Sequence, residues 1–313
     1  MRDLQRRLGL AGCTVADADT GTYCDVTAAA VRRFQSDHGL PISGECDEPT
    51  WLTLVESSWR LGDRTLRITS PMMRGDDVLA LQTTLARLGF DPGYIDGIFG
   101  PDSEHALVDF QRNLGLDDDG LCGPFTARAL EVNAARSGSG PGIATLRELA
   151  RLGAVADLRD QRLVVGHFGG VAPFVHQLSR DLRQRGAQVV ATDHLDVSAQ
   201  AGAANRHRAL AYVGIAATTD PSAHVTYYST AGFTSPGGMV LAAQVAEHLA
   251  PWATASGRTA TTEGRRLPIL RETKMTAVLI QLGPVQRVIE DAAMLTTAIV
   301  DGLIAWTKSP VPA

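Results

Sequence analysis

Residues 270–283 read LRETKMTAVLIQLG, and this stretch decides the fold class of the C-terminal half of the chain. The apolar run from Val278 to Leu282, interrupted only by Gln281, predicts a buried strand. Near-continuous apolar strands are typical of sheets that helices cover on both faces. The stretch therefore predicts the centre of an α/β domain.

Outward from this run, predicted strands alternate with predicted helices. Apolar strands are predicted at residues 163–165, 187–191, 210–216 and 225–228, and helices at 174–185, at 239–249 and at the C-terminus up to Lys308. This order predicts a mostly parallel sheet covered by helices. Upstream, the run Ser-Gly-Ser-Gly-Pro-Gly at 137–142 is typical of a flexible linker, and a short helix is predicted from Ile143 to Leu152.

The first 135 residues contain an internal repeat. Leu4-Gln5 recurs as Leu81-Gln82 at an offset of 77, and Phe34-Gln35 recurs as Phe110-Gln111 at an offset of 76, so the first copy carries one inserted residue. The apolar spacing in each copy predicts three helices joined by turns. Pairing two such small modules is a physically sensible way to gain buried core.

These patterns predict a multi-domain chain with two small three-helix modules and an α/β domain. The predicted boundaries are 1–60 for the first copy, which is N-terminally incomplete, and 70–135 for the second copy. A linker with the short helix is predicted at 136–161, and the α/β domain at 162–308.

Composition excludes several classes of protein. The chain has 34 acidic and 29 basic residues, a net charge of −5, so it lacks the basic excess of a nucleic-acid binder. Its longest uncharged apolar stretch, 209–219, is shorter than the ~20 residues of a membrane span. The cysteines show no CxxC spacing, which predicts reduced thiols rather than a zinc knuckle. No apolar signal segment follows Met1, so we expect a cytoplasmic location, unless an upstream signal peptide directs the protein to the cell wall.

The second module resembles the peptidoglycan-binding repeat of many cell-wall enzymes. The resemblance rests on Gly75-Asp76-Asp77-Val78, Leu81-Gln82, Leu88-Gly89-Phe90, Asp96-Gly97-Ile98-Phe99-Gly100, Phe110-Gln111 and Asp119-Gly120. In the first module the opening segment is absent, and the stretch 18–24 replaces the Asp-Gly-x-Phe-Gly turn, so binding is expected mainly in the second copy. The resemblance makes Tyr94, Asp96, Gly97 and Gly100 the candidate contacts to glycan or peptide.

Residues 162–308 resemble the zinc-dependent N-acetylmuramoyl-L-alanine amidase domain. Residues 270–283 are close to that family's Leu-Arg-Glu-Thr-x-Met-Pro-Ala-Val-Leu-Val-Glu-Leu-Gly, and a strand at 162–165 precedes Gly169-Gly170 as in the family. Two binding repeats followed by such a domain match the order of actinobacterial cell-wall proteins of the CwlM type.

The same resemblance shows which chemical groups are missing. Phe168 stands where the family has its first zinc-binding histidine, Ala216 where it has its second, and Gln281 where it has the catalytic glutamate. The loop that carries the glutamate ligand is absent between Gly170 and Gly186. Zinc hydrolysis needs about three ligands and a general base. A one-residue shift at a strand end is expected to turn His167 away from this site.

The resemblance therefore implies a catalytically inactive amidase-fold protein without a cofactor. Such a protein would bind peptidoglycan or muropeptide, a cell-wall synthesis enzyme or a membrane transport protein, and would regulate peptidoglycan biosynthesis. Arg271 and Lys274, in a basic segment with Arg258, Arg265 and Arg266, are candidate contacts to an acidic partner or a phosphorylated precursor. The alternatives are an active or metal-rewired amidase, which would hold zinc, and a simple wall-anchoring module.

Overall fold

The computed structural model describes residues 1–13, 15, 21–135, 140–153, 157–230 and 232–311. The chain divides into two compact units, Met1–Leu146 and Arg147–Ala313. The short helix predicted from Ile143 to Leu152 is present with those bounds and contains the boundary between the units.

The first unit is helical. Its helices are α1 (Arg2–Leu10), α2 (Asp25–His38), α3 (Glu48–Glu56), α4 (Asp76–Arg87), α5 (Pro101–Asn113) and α6 (Pro124–Ala134), followed by the start of α7 (Ile143–Leu152). Proline opens α5 and α6 because its fixed φ suits the first helical turn, where its missing N–H costs nothing. One apolar core surrounds Phe34 and another surrounds Phe110, so the two predicted three-helix modules are confirmed.

The cysteines of this unit are free thiols, as predicted. Cys122 is buried, and burial raises the pKa of its thiol to about 12. Cys46, at the equivalent position of the first module, is only half-buried, whereas the repeat pattern predicts that both thiols are buried.

The second unit is an α/β domain, which confirms the predicted fold class. Its elements after α7 are β1 (Arg162–His167), α8 (Ala172–Gln184), β2 (Gln188–Thr192), α9 (Val197–Arg206), β3 (Ala211–Ala217), β4 (Ser222–Thr230), β5 (Phe233–Thr234), α10 (Pro236–Thr254), β6 (Thr261–Arg265), α11 (Pro268–Glu272), β7 (Thr276–Gly283), α12 (Val285–Glu290) and α13 (Ala292–Lys308). The pattern did not predict α9, β5, β6, α11 and α12, because most of them are short or polar.

The strands form one mixed, mostly parallel sheet in the order β2-β1-β3-β7-β4. β1, β2, β3 and β7 are parallel, β4 is antiparallel to β7, and β5 and β6 pair with β4. One face packs against α8, α10 and α13, and the other against α9 and α11. We call the end where β1, β3 and β7 finish the carboxyl edge, and the end where β1 and β2 begin, at Arg162 and Gln188, the amino edge.

No helix in the described ranges is both long enough and apolar enough to cross a bilayer.

Candidate functional site

The structure brings the three predicted degenerate positions together at the carboxyl edge. His167 pairs with Ile215, so the next residue, Phe168, follows in line with Ala216. Ala216 in turn pairs with Gln281. Phe168 and Ala216 both pack against the apolar cluster on the α9 and α11 face of the sheet. Because neighbouring strands lie about 4.8 Å apart, these three residues form one continuous row.

The row contains no group that could act in zinc hydrolysis. A phenyl ring and a methyl group provide no lone pair for a metal, and a neutral amide accepts no proton at ordinary pH. Within the described part of the chain, no three His, Cys, Asp or Glu side chains are close enough to hold a metal ion. The residues at this edge therefore do not fit the zinc of the amidase family.

His167 lies on the other face of the sheet. Its side chain alternates with Val164 and shares the α8 face with Val165, whose cluster contains α8 residues. The Nδ1 atom of His167 accepts a hydrogen bond from the backbone N–H of Gly169 at 3.2 Å. Burial lowers the pKa of His167, with nearby Asp193 acting in the opposite direction and His176 in the same direction. This geometry favours a neutral imidazole whose Nδ1 is already engaged.

A buried hydrogen-bond network centred on Gln200 of α9 lies next to the carboxyl edge. The Tyr212 hydroxyl donates to Gln200 Oε1, and Gln200 Nε2 donates to the carbonyl oxygens of His167 at 3.3 Å and His194 at 2.6 Å. Gln200 therefore ties the loops after β1 and β2 to α9. The sequence pattern missed this residue. Gly166 was the available signal, because a glycine inside an apolar strand often marks the close approach of another group, and here a Cβ would collide with Gln200.

Four glutamines organise the repeats, two in each module. In every case Oε1 accepts from the N–H of a glycine with positive φ, and Nε2 donates to the carbonyl of the following residue. The pairs are Gln5 with Gly21 and Thr22, Gln35 with Gly44 and Glu45, Gln82 with Gly97 and Ile98, and Gln111 with Gly120 and Leu121. Only glycine adopts this backbone conformation without strain, so each Gln–Gly pair fixes a turn.

This pattern shows how the stretch 18–24 of the first module stands in for the Asp-Gly-x-Phe-Gly turn. Gly21, with φ +91°, takes the place of Gly97, with φ +74°, and its N–H donates to Gln5 at 2.8 Å. Both modules therefore have a positive-φ glycine bound by a glutamine at this turn, although the sequences of the two turns differ. Residues 16–20 lie outside the described residues.

The predicted binding residues of the second module lie around one turn. The Asp96 carboxylate accepts from Gln82 Nε2 at 3.0 Å and from the Ile98 N–H at 2.9 Å, and Gly97 is held by Gln82. Gly100 caps α5 and Tyr94 is half-buried. Asp96 and Gly97 therefore serve the fold of the turn, while their contact with a ligand stays a prediction.

The basic candidates lie after α11. The Arg271 guanidinium contacts the Glu272 carboxylate at 3.0 Å, and both side chains are largely buried. Lys274 is exposed, and its backbone N–H donates to Asn205 at 2.7 Å. Arg265 forms an ion pair with Glu263 at 2.8 Å. Of these three residues, Lys274 is the exposed one.

The chain is similar to two kinds of known protein, peptidoglycan-binding domains and amidases. Residues 1–54 and 74–130 match the model of the peptidoglycan binding domain family. The N-acetylmuramoyl-L-alanine amidase CwlM of Mycobacterium tuberculosis is 45% identical over 125 residues, which cover 39% of this chain and 30% of that protein. The N-acetylmuramoyl-L-alanine amidase CwlL of Bacillus licheniformis is 30% identical over 154 residues, 42% of each chain. The chain thus spans less than half the length of these curated relatives.

Solved structures of amidases are similar to about half of the chain. The N-acetylmuramoyl-L-alanine amidase from Clostridium difficile 630 is 20% identical, with a TM-score of 0.42, and covers 48% of this chain and 98% of its own. Ami1 from Mycobacterium smegmatis is 16% identical, with the same TM-score of 0.42, and covers 49% and 100%. The sequence relatives and the family match show a chain with peptidoglycan-binding repeats and an amidase-like domain.

Proposed function

We propose that this chain is a catalytically inactive amidase-fold protein that binds peptidoglycan or its synthesis machinery and regulates cell-wall biosynthesis. One observation carries the proposal: Phe168, Ala216 and Gln281 form a single row at the carboxyl edge. Amide hydrolysis by this family requires a metal-bound water and a group that takes its proton. This row supplies neither a ligand nor a base.

The repeats supply the binding part of the proposal. Both modules match the peptidoglycan-binding family, and both keep the Gln–Gly turns. We propose peptidoglycan or muropeptide as their ligand, and a wall-synthesis enzyme or a membrane transport protein as the partner of the amidase-like domain. Lys274 is our candidate contact to an acidic partner. The cytoplasmic location stays a prediction.

An active amidase is the second candidate, because the relatives CwlM and CwlL are named N-acetylmuramoyl-L-alanine amidases. A rewired site would use His167 and His176, since the charge of His176 affects the pKa of His167. The engaged Nδ1 of His167 opposes this candidate.

Metal analysis and an activity assay on the full chain separate the candidates. The protein is purified without chelator, its zinc content is measured, and it is incubated with muropeptides to detect release of the L-alanine-linked peptide. We expect well below one zinc per chain and no hydrolysis. About one zinc per chain, lost in the His167→Ala and His176→Ala variants, would establish the rewired amidase instead.

Pull-down with purified sacculi tests the binding part. We expect the full chain to bind sacculi and Tyr94→Ala to bind several-fold more weakly, with Phe125→Ala, an exposed change in the same module, as the control. Equal loss in both variants would show that Tyr94 has no special role. Absence of sacculus binding by the full chain would remove peptidoglycan as the ligand and leave a protein partner.

A further inference from the structure

A cavity of about 360 Å³ opens at the amino edge of the sheet. It lies at the opposite end of the strands from Phe168, Ala216 and Gln281. Arg162, Arg183, Gln188 and His207 supply its polar lining. Leu163 and Val189, both buried, supply apolar surface beside them. The cavity therefore combines positive charge with an apolar wall.

Four elements bring these side chains together. Arg162 opens β1 and pairs directly with Gln188, which opens β2. Arg183 lies in the last turn of α8, and His207 caps the C-terminal end of α9. The two arginines are 21 positions apart in sequence, so only the β1-α8-β2 fold places them at one opening.

Each arginine is held in place by a backbone carbonyl. Arg183 Nη2 donates to the Val189 oxygen at 2.8 Å, and Arg162 Nη1 donates to the His207 oxygen at 3.3 Å. A guanidinium has five N–H donors, so most of the donors remain available for a ligand. The hydrogen bonds to the carbonyls already restrict both arginine side chains, so these side chains lose less conformational entropy when a ligand binds.

The positive charge of the cavity has no internal counter-charge. Among the described residues, neither Arg162 nor Arg183 pairs with a carboxylate, and no Asp or Glu lines the cavity. Arg185, two residues beyond Arg183, does have a partner in Asp301 at 4.0 Å. An anion is the group that this environment favours.

Solvated arginines at helix ends provide a simpler explanation for part of the pattern. A cation in the last turn of a helix is stabilised by the helix dipole, which accounts for Arg183. It does not account for Arg162, which opens a strand, or for the convergence of both arginines on one cavity with an apolar wall.

We propose that this cavity binds an oxyanion, a phosphate or a carboxylate, carried on a small apolar body. Guanidinium groups bind both anions through paired, charge-assisted hydrogen bonds, and Gln188 can donate a further one. The volume falls in the range of small-molecule sites, which are about 300–1,000 Å³. Leu163 and Val189 contact the apolar part of the ligand.

The test uses three probes that share one ring: phenyl phosphate, benzoate and the uncharged benzyl alcohol. Binding to the full chain is followed by ¹H–¹⁵N NMR titration. We expect phenyl phosphate, benzoate or both to shift the amides of residues 162–164 and 188–190, and benzyl alcohol to bind at least tenfold more weakly. If only one anion binds, the proposal narrows to that anion. If neither shifts these amides at millimolar concentration, the proposal is wrong.

Variants tie the binding to the arginines. Arg162→Gln and Arg183→Gln should each weaken binding by about tenfold or more, as expected for loss of a charge-assisted pair. Arg180→Gln, an exposed change one turn earlier on α8, is the matched control and should leave binding unchanged. Arg183 also supports Val189, so folding of each variant is checked by circular dichroism, and Arg162→Gln remains decisive if Arg183→Gln is unstable. Equal binding in Arg162→Gln and the wild type would overturn the assignment.

Discussion

The two units differ in what their family-like residues do. In the repeats, Gln82, Asp96 and Gly97 bond to one another and fix a turn. At the carboxyl edge of the second unit, Phe168, Ala216 and Gln281 carry no metal ligand or general base, while the nearby Gln200 side chain is hydrogen-bonded through both its oxygen and its nitrogen. The motif residues of the repeats therefore stabilise the fold, whereas the residues at the carboxyl edge determine whether the domain can hydrolyse an amide.

The largest expected effect concerns Asp77 in the repeats. Its fully buried carboxylate accepts from Arg64 at 2.7 and 3.1 Å, and Arg64 lies 4.7 Å from the centre of the Trp59 ring. Asp77→Ala removes the carboxylate partner of Arg64 and should cost about 3–5 kcal/mol of unfolding free energy. Urea unfolding followed by hydrogen-exchange mass spectrometry measures this for peptides of the first unit. Asp109→Ala, in an exposed pair with Arg112, is the control and should leave the midpoint unchanged.

Gln82→Ala should destabilise the same unit by about 2–3 kcal/mol, because it leaves buried donors and acceptors of the turn without partners. The lost bonds are those to Asp96, Ile98 and Ser103 at 3.0 Å and those from the N–H groups of Asp96 and Gly97. Gln286→Ala, an exposed glutamine, is the matched control. If Gln82→Ala kept its stability and lost only sacculus binding, Gln82 would be a ligand contact and the comparison between the units would fail.

Much of the fold follows from the sequence because its signals are local. Repeated Leu-Gln and Phe-Gln spacings predict the two modules, and the apolar run Val278 to Leu282 predicts the centre of the sheet. The segment 261–265 was not predicted as a strand, because Thr261, Thr262 and Glu263 are exposed and only pairing with β4 makes them extended. Tertiary pairing decides such polar edge strands.

The candidate site was predictable in part. The resemblance to the amidase family points to Phe168, Ala216 and Gln281, and the strand register brings these three residues into one row. The cavity at the amino edge was not predictable. Arg162 and Arg183 belong to a strand start and a helix end, and no local pattern shows that both reach the same opening.

A smaller effect is expected at Glu148 of α7, which supports the sheet away from the carboxyl edge. Its Oε1 accepts from Ser235 Oγ at 2.6 Å, from the Gly237 N–H at 3.2 Å and from Thr276 Oγ1 at 3.4 Å. Glu148→Ala should cost about 1–2 kcal/mol, because it removes the acceptor for these donors.

Glu148 also predicts a pH dependence. Burial raises the pKa of this carboxyl above its ordinary value of 4.5, although the three hydrogen bonds and Arg151 act in the opposite direction. A raised folded-state pKa means that the stability it contributes is complete below pH 4.5 and falls as the pH rises through the folded-state pKa. Thermal unfolding between pH 4 and 8 should show this slope in the wild type, and Glu148→Gln should flatten it. An unchanged slope would contradict the assignment.

The smallest expected effect is that of Gln281→Glu. Gln281 is half-buried, and within the described ranges its side chain makes no hydrogen bond, so the change should alter the unfolding free energy by less than about 0.5 kcal/mol. It should also restore no hydrolysis, because Phe168 and Ala216 still provide no metal ligand. Gln200→Glu is the matched control at the same edge. It places a carboxylate, which cannot donate, against the carbonyls of His167 and His194 and should cost about 2–4 kcal/mol. Equal destabilisation by the two variants would mean that Gln281 contributes as much to the stability of the domain as Gln200 does. The glutamine at position 281 would then be explained by folding and would say nothing about catalytic activity.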